Sequence, residues 1–154
     1  MATIPQIPDA RERLKSKVAI VTGAGTRGDL AGVGQASAIL LAAHGAKVFV
    51  VDFDRERAQG TVDTIEERGG EAAIFTGDMT STEDCRAMVD ACVERFGGLH
   101  VLVNNVGTHG PGMVTDFDEA LWDRSLDANL KSAALACRFA VPAMEAAGGG
   151  SIIN

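Results

Sequence analysis

Gly23, Gly25, Gly28, Gly32 and Gly34 follow directly on the strand-forming run Lys17-Val18-Ala19-Ile20-Val21-Thr22, and a helical pattern then runs to Gly45. Strand, glycine-rich turn and helix in that order suit the binding of a nucleotide diphosphate. Glycines let the main chain pass close to phosphate oxygens, and the helix N-terminus supplies free N–H groups and the positive end of a dipole. A second chemical group lies at the end of the next apolar run, Lys47-Val48-Phe49-Val50-Val51. Asp52 follows it, about 20 residues beyond Gly32, the spacing at which an acidic residue meets an adenosine ribose.

The glycines can be read in two registers. Gly23-Ala24-Gly25-Thr26-Arg27-Gly28 matches the general G-x-G-x-x-G fingerprint, which alone is weak evidence. A helix starting near Gly28 would then hold Gly32 and Gly34 in its first turns, each costing about 1 kcal/mol relative to alanine. A helix starting near Val33 avoids that cost and opens with small residues able to pack close to a sheet. We prefer this second register, with Thr26–Leu30 as an insertion and the match at Gly23, Gly25 and Gly28 incidental.

The elements that must hold these groups alternate along the chain. Residues 54–68 have a charged helical pattern, Ala72–Thr76 a short apolar run, and Ser81 an N-cap position before a helix reaching about Phe96. His100-Val101-Leu102-Val103 is a fourth strand, a Gly/Pro-rich loop follows, and a long helix is expected over about Asp118 to Ala146, its last turn bent at Pro142. Ser151-Ile152-Ile153-Asn154 reads as the start of a fifth strand. Alternation with short connections predicts an α/β fold, a Rossmann-type doubly wound parallel sheet truncated at the fifth strand. Residues 1–16 read as an N-terminal extension and 17–154 as the dinucleotide-binding domain, incomplete at its C-terminus.

Composition narrows the partners. A chain of 154 residues with 46% apolar and 23% charged residues is sized and balanced for one globular domain. A net charge of −7 argues against nucleic acid and anionic membranes. The first 17 residues contain no continuous apolar segment, so neither a signal peptide nor a membrane anchor is expected, and the protein is placed in the cytoplasm. Cys85, Cys92 and Cys137 lack metal-ligand spacing and read as small hydrophobes in a reducing compartment. His44, His100 and His109 are scattered, so no metal site is expected.

Four motifs together resemble the N-terminal part of the short-chain dehydrogenase/reductase family. Its T-G-x-x-x-G-x-G pattern is present as Thr22-Gly23 and, after five extra residues, Gly32-Val33-Gly34. Its N-N-A-G motif is Asn104-Asn105-Val106-Gly107, with valine in place of alanine. The aspartate after the third strand is Asp78-Met79, and the helix asparagine of the family's active site is Asn129. The resemblance covers about Lys17 to Asn154.

It implies a hydride transfer between a nicotinamide cofactor and an alcohol or carbonyl substrate, with this chain holding the cofactor half. Gly23, Gly32, Val33 and Gly34 would line the pyrophosphate, and Asp52 would take the ribose hydroxyls and repel a 2′-phosphate. Asp78 and Met79 would flank the adenine. Asn105, Val106 and Gly107 would lie on the ribose and nicotinamide side, while Asn104 ties neighbouring strands through main-chain hydrogen bonds. Asn129 would order a water in the proton relay, its burial suggested by Leu126 and Leu130. NAD is favoured over NADP by Asp52, although Arg27 is an opposing hint. The apolar helix around Asn129 implies a homodimer or homotetramer.

The family's tyrosine, lysine and serine have no counterpart here: the sequence contains no tyrosine. The chain as given is therefore expected to be inactive alone. The alternative is a stand-alone nucleotide-binding or regulatory module without catalysis.

Overall fold

The computed structural model describes residues 12–26, 31–110 and 112–154. Five strands form one sheet: β1 (Val18–Thr22), β2 (Lys47–Asp52), β3 (Glu71–Thr76), β4 (Val101–Val103) and β5 (Ser151–Ile153). Their spatial order is β3-β2-β1-β4-β5 and every pairing is parallel. The order reverses between β1 and β4, which opens a crevice at the carboxyl ends of those strands. This is the Rossmann-type arrangement that the alternating pattern predicts.

Helices cover both faces, which is why β1 and β2 read as unbroken apolar runs. Helices α1 (Val33–Ala43) and α2 (Arg55–Glu67) bury Ala38, Ile39, Ala58, Val62 and Ile65 against Ala19, Val21, Val48 and Val50 on one face. On the other, α3 (Thr82–Phe96) and α5 (Ser132–Ala146) bury Met88, Cys92, Ala136 and Met144 against Val18, Ile20, Phe49 and Leu102. Leu14, from the short turn before β1, packs against the first of these cores, and its N–H donates to the His44 carbonyl at 2.8 Å.

Helix boundaries follow local chemistry. The Asp54 side chain accepts from Glu56 N and Arg57 N to start α2, and Ser81 accepts from Asp84 N to start α3. Gly97, at φ 87°, closes α3 in the left-handed region. Helix α1 begins at Val33, as the second glycine register requires.

One expectation is corrected. The long helix is three pieces: α4 (Glu119–Leu126), a π-turn over Asp127–Lys131, and α5, with Pro142 inside the last. In the π-turn the Ser132 N–H reaches back to the Asp127 carbonyl, one residue further than in an α-helix. The Ser132 hydroxyl takes up the Ala128 carbonyl at 2.6 Å. Periodicity cannot reveal a single inserted residue inside a run with similar polarity on either side.

Candidate functional site: a cleft at the strand reversal

A cleft of ≈ 650 Å³ opens where the strand order reverses. Every candidate cofactor residue lines it: Gly23, Gly32, Val33, Gly34, Asp52, Asp78, Met79, Asn105, Val106 and Gly107. Residues from five separate stretches of chain are thus brought to one place. Gly25, Phe53, Gly77, Thr80, Thr108 and Ala128 also line it and had not been singled out for binding. Most are sequence neighbours of singled-out residues, so flanking position was the available signal.

The glycines do different jobs. Gly34 has to be glycine for packing: a Cβ there would run into the Gly23 carbonyl oxygen and Asn105 Nδ2. Gly23 sits at φ +62°, a conformation few side chains adopt. Gly32 has neither constraint. Its φ of −69° suits any residue, and a Cβ would meet nothing within 4 Å. Gly32 nevertheless lines the cleft, with its Cβ position open among the described residues.

Gly32 is also the N-cap of α1, and no side chain caps that end. The first-turn N–H groups are left to face the cleft with the positive end of the helix dipole. Among the described residues no lysine or arginine lines the cleft, so an anion there would be met by their main-chain donors. These features fit a pyrophosphate.

The first half of the glycine loop is committed elsewhere. Ala24 N donates to the Val51 carbonyl at 3.0 Å, Gly25 N to Asp52 Oδ2 at 2.9 Å, and Thr26 N to the Arg57 carbonyl at 3.1 Å. None of these donors is left for a phosphate. Gly25 is therefore not incidental: a Cβ on it would lie 2.7 Å from both Asp52 Oδ2 and Arg57 Cβ. Gly25 serves contact with β2 and α2 rather than a phosphate. Residues 27–30, with Arg27 and the rest of the insertion, lie outside the described residues.

Asp52 ends β2 with its side chain almost wholly buried, at 4% exposure. Its Oδ1 accepts from Asp54 N at 3.1 Å, and Oδ2 accepts from Gly25. Each oxygen retains capacity to accept a further hydrogen bond. Beside it, Phe53 is 63% exposed, with the Arg57 guanidinium carbon 5.8 Å from its ring centroid. Arg57 is itself engaged by Asp54, Nε to Oδ2 at 3.1 Å. At the far wall, Asp78 Oδ1 accepts from Thr80 N and Oγ1, and Asp84 Oδ2 accepts from Asp78 N at 2.7 Å. Met79 is buried, at 3% exposure, against α3.

Of the paired asparagines, Asn105 lines the cleft and also ties strand ends, a second task not expected of it. Asn105 makes the main-chain ties, its Nδ2 donating to the Thr22 carbonyl at 3.2 Å and the Gly23 carbonyl at 2.9 Å. Its own N–H donates to Thr22 Oγ1 at 3.1 Å, which locks the end of β4 to the end of β1. Asn104 Nδ2 instead donates to the Asn154 side-chain oxygen at 2.8 Å, beyond β5. The order of the two side chains across the strand end decides this, and it is not visible in the motif.

Asn129 lies in the π-turn and clamps the loop that follows β4. Its Oδ1 accepts from Thr108 N at 3.0 Å, while Nδ2 donates to the Thr108 and Ser125 carbonyls, each at 2.7 Å. Gly107 makes room, since a Cβ there would sit 2.8 Å from Asn129 Oδ1. The residue is exposed, and Leu126 and Leu130 are 44% and 66% exposed, so the burial inferred from them is corrected. The side chain is held by hydrogen bonds instead.

The model of the short chain dehydrogenase family matches residues 17–154. The chain belongs to this family. Cyclohexanol dehydrogenase of Acinetobacter sp. (strain SE19) is 39% identical over 143 residues, covering 92% of this chain and 55% of its own length. A short chain dehydrogenase from Mycobacterium smegmatis superposes with TM-score 0.88 at 34% identity, over 98% of this chain and 62% of its own. A 7α-hydroxysteroid dehydrogenase complexed with NADH and 7-oxo glycochenodeoxycholic acid gives TM-score 0.84 at 35% identity, over 96% and 55%. This short-chain dehydrogenase sequence thus spans little more than half the length of such relatives.

No helix among the described residues is long and apolar enough to cross a membrane. No group of three or more His, Cys, Asp or Glu side chains among them could hold a metal.

Proposed function

We propose that this chain is the cofactor-binding half of an NAD-dependent oxidoreductase acting on an alcohol or carbonyl substrate. The observation that carries the proposal is Gly32. Neither its backbone nor packing among the described residues asks for glycine there, yet Gly32 lines the same cleft as Asp52 at a start of α1 that no described side chain caps. A dinucleotide supplies a hydride-accepting ring when bound, and the residues here bind and orient it. The first turn of α1 takes the pyrophosphate. Asp52 accepts the adenosine ribose hydroxyls, with Asp78 and Met79 beside the adenine and Asn105, Val106 and Gly107 toward the nicotinamide.

NAD rather than NADP follows from charge. A 2′-phosphate would meet the Asp52 carboxylate with no cation among the described residues that line the cleft, and Arg57 is engaged by Asp54. Asn129 would serve the proton relay by fixing the loop at Thr108 beside the cleft. Since the chain has no tyrosine, a general acid–base group of that type must lie elsewhere, and the chain alone is expected to bind NADH without turnover. The relatives' names favour a ring-bearing secondary alcohol as the substrate class. We also propose a cytoplasmic location and self-association through α4 and α5.

Calorimetric titration of the chain with NADH, NADPH and ADP-ribose tests the reading. NADH and ADP-ribose should bind, and NADPH at least tenfold more weakly. Absence of NADH binding would remove the cofactor assignment, and preference for NADPH would remove the role of Asp52.

A further inference from the structure

Outside the cleft, on the buried side of α2, Thr61 departs from the usual habit of a helical threonine. Such a hydroxyl commonly donates back to the carbonyl four residues earlier, as Thr64 Oγ1 does to Gly60 at 2.8 Å. For Thr61 that acceptor would be the Arg57 carbonyl, which is occupied by Thr26 N. The Thr61 hydroxyl leaves the helix instead and donates to the Ala24 carbonyl at 2.7 Å. Both Thr61 and Ala24 are 0% exposed. Gly60, next along the helix, lets Thr26 lie close, with Thr26 Cγ2 3.4 Å from where its Cβ would be.

We infer that Thr61 is a positioning residue for cofactor binding: it holds the first half of the glycine loop on α2 before any ligand arrives. The inference rests on the nucleotide-binding reading above and adds a residue that does not line the cleft. Ala24 is tied through both its N–H and its carbonyl, and Gly25 and Thr26 through their N–H groups. The chain therefore leaves β1 along α2, and Gly23 is turned under Gly34 at the start of α1. Without the Thr61 hydroxyl, the buried Ala24 carbonyl keeps no hydrogen-bond donor among the described residues. The loop would shift to find one, and the ligand would have to restore the bound arrangement at the expense of its own affinity.

The test compares Thr61→Val with Thr61→Ser. Valine keeps the shape and removes the donor; serine keeps the donor. NADH titration should show Thr61→Val weakened about three- to tenfold, the equivalent of one hydrogen bond, with Thr61→Ser close to the parent. Amide exchange at Gly25 and Thr26 should quicken in Thr61→Val and stay slow in Thr61→Ser. A valine variant that melts earlier yet keeps its NADH affinity and its slow Gly25 and Thr26 amides would overturn the inference, leaving Thr61 a packing residue only.

Should the valine variant fail to fold, the parent protein decides the matter. Slow Gly25 and Thr26 exchange without NADH is expected, and fast exchange there would overturn the latch. Should the parent not bind NADH at all, the proposed function falls, while the exchange rates still judge the latch by itself.

Discussion

The β1–β2 side of the sheet and the β4–β5 side are built to different standards. Every residue of β1 is buried, and β2 is buried from Val48 to Asp52, while β5 has only Ile152 partly covered. Helices α1 and α2 bury several residues each, whereas α4 buries none, and Trp122, Leu126 and Leu130 stand exposed. On the β1–β2 side the polar groups near the glycine loop are bonded to protein, through Asp52, Thr61 and the Arg57 carbonyl. The difference teaches where function is already specified. The glycine-loop side is held by hydrogen bonds between described residues, while the β5 side leaves apolar surface uncovered by them.

The largest expected effect attacks the rigid side. Gly34→Val would drive a side chain into the Gly23 carbonyl and Asn105. Overpacking of that kind costs about 1–3 kcal/mol, and chemical denaturation should show it together with loss of measurable NADH binding. Retention of normal NADH affinity in that variant would break the comparison.

Asp52→Ala comes next. It removes the acceptor for Gly25 and Asp54 as well as the proposed ribose contact. NADH affinity should fall at least about tenfold, as for a hydrogen bond to a charged group, with the ratio of NADPH to NADH binding rising. An unchanged ratio would leave Asp52 as a loop support alone.

On the open side, Leu130→Glu should alter folding stability by no more than about 0.5 kcal/mol, because the side chain is 66% exposed. Sedimentation should show loss of any self-association through α4 and α5. A large stability loss with unchanged mass would mean that the open side is packed in a way the exposed leucine does not suggest.

Acid should produce a smaller change at the other end of the sheet. His100 Nδ1 accepts from Val18 N at 3.1 Å, so the folded protein needs the neutral ring. Burial, and then the charge of Lys17, lower its pKa from the usual 6.5. The stabilisation is fully present above the unfolded value and is lost as pH falls through the lower, folded one. Denaturation midpoints followed downward from pH 7 should drop more steeply for the parent than for His100→Gln.

Thiol chemistry gives the mildest test. Burial pushes Cys85 up to about 11, aided by Asp84 and Asp78, and pushes Cys92 up to about 12. Neither should react with a thiol reagent at pH 8 until the protein unfolds, and mass spectrometry of the labelled sites would detect any exception.

Strand and helix order and the start of α1 at Val33 were legible because each has a local signature, whereas most residues that meet in the cleft were named through the resemblance to the family's motifs. Buried parallel strands read as apolar runs, helix starts carry caps, and the binding residues sit at strand ends or helix starts, where topology gathers them. The assignment of tasks within that set was not legible. Gly25 meets Asp52 and Arg57, and Asn105 reaches back to the Thr22 and Gly23 carbonyls, all contacts with segments distant in sequence.

The π-turn at Asp127–Lys131 and the outward turn of Thr61 escaped for the same reason. A hydrogen-bond partner distant in sequence, Thr108 for Asn129 and Ala24 for Thr61, leaves no trace in local pattern. The sequence by itself determined the layered α/β architecture, because hydrophobic periodicity and turn residues are local signals. Only the tertiary structure decided which donors remain free for a ligand and which hold the loop in place, because that depends on contacts between segments tens of residues apart.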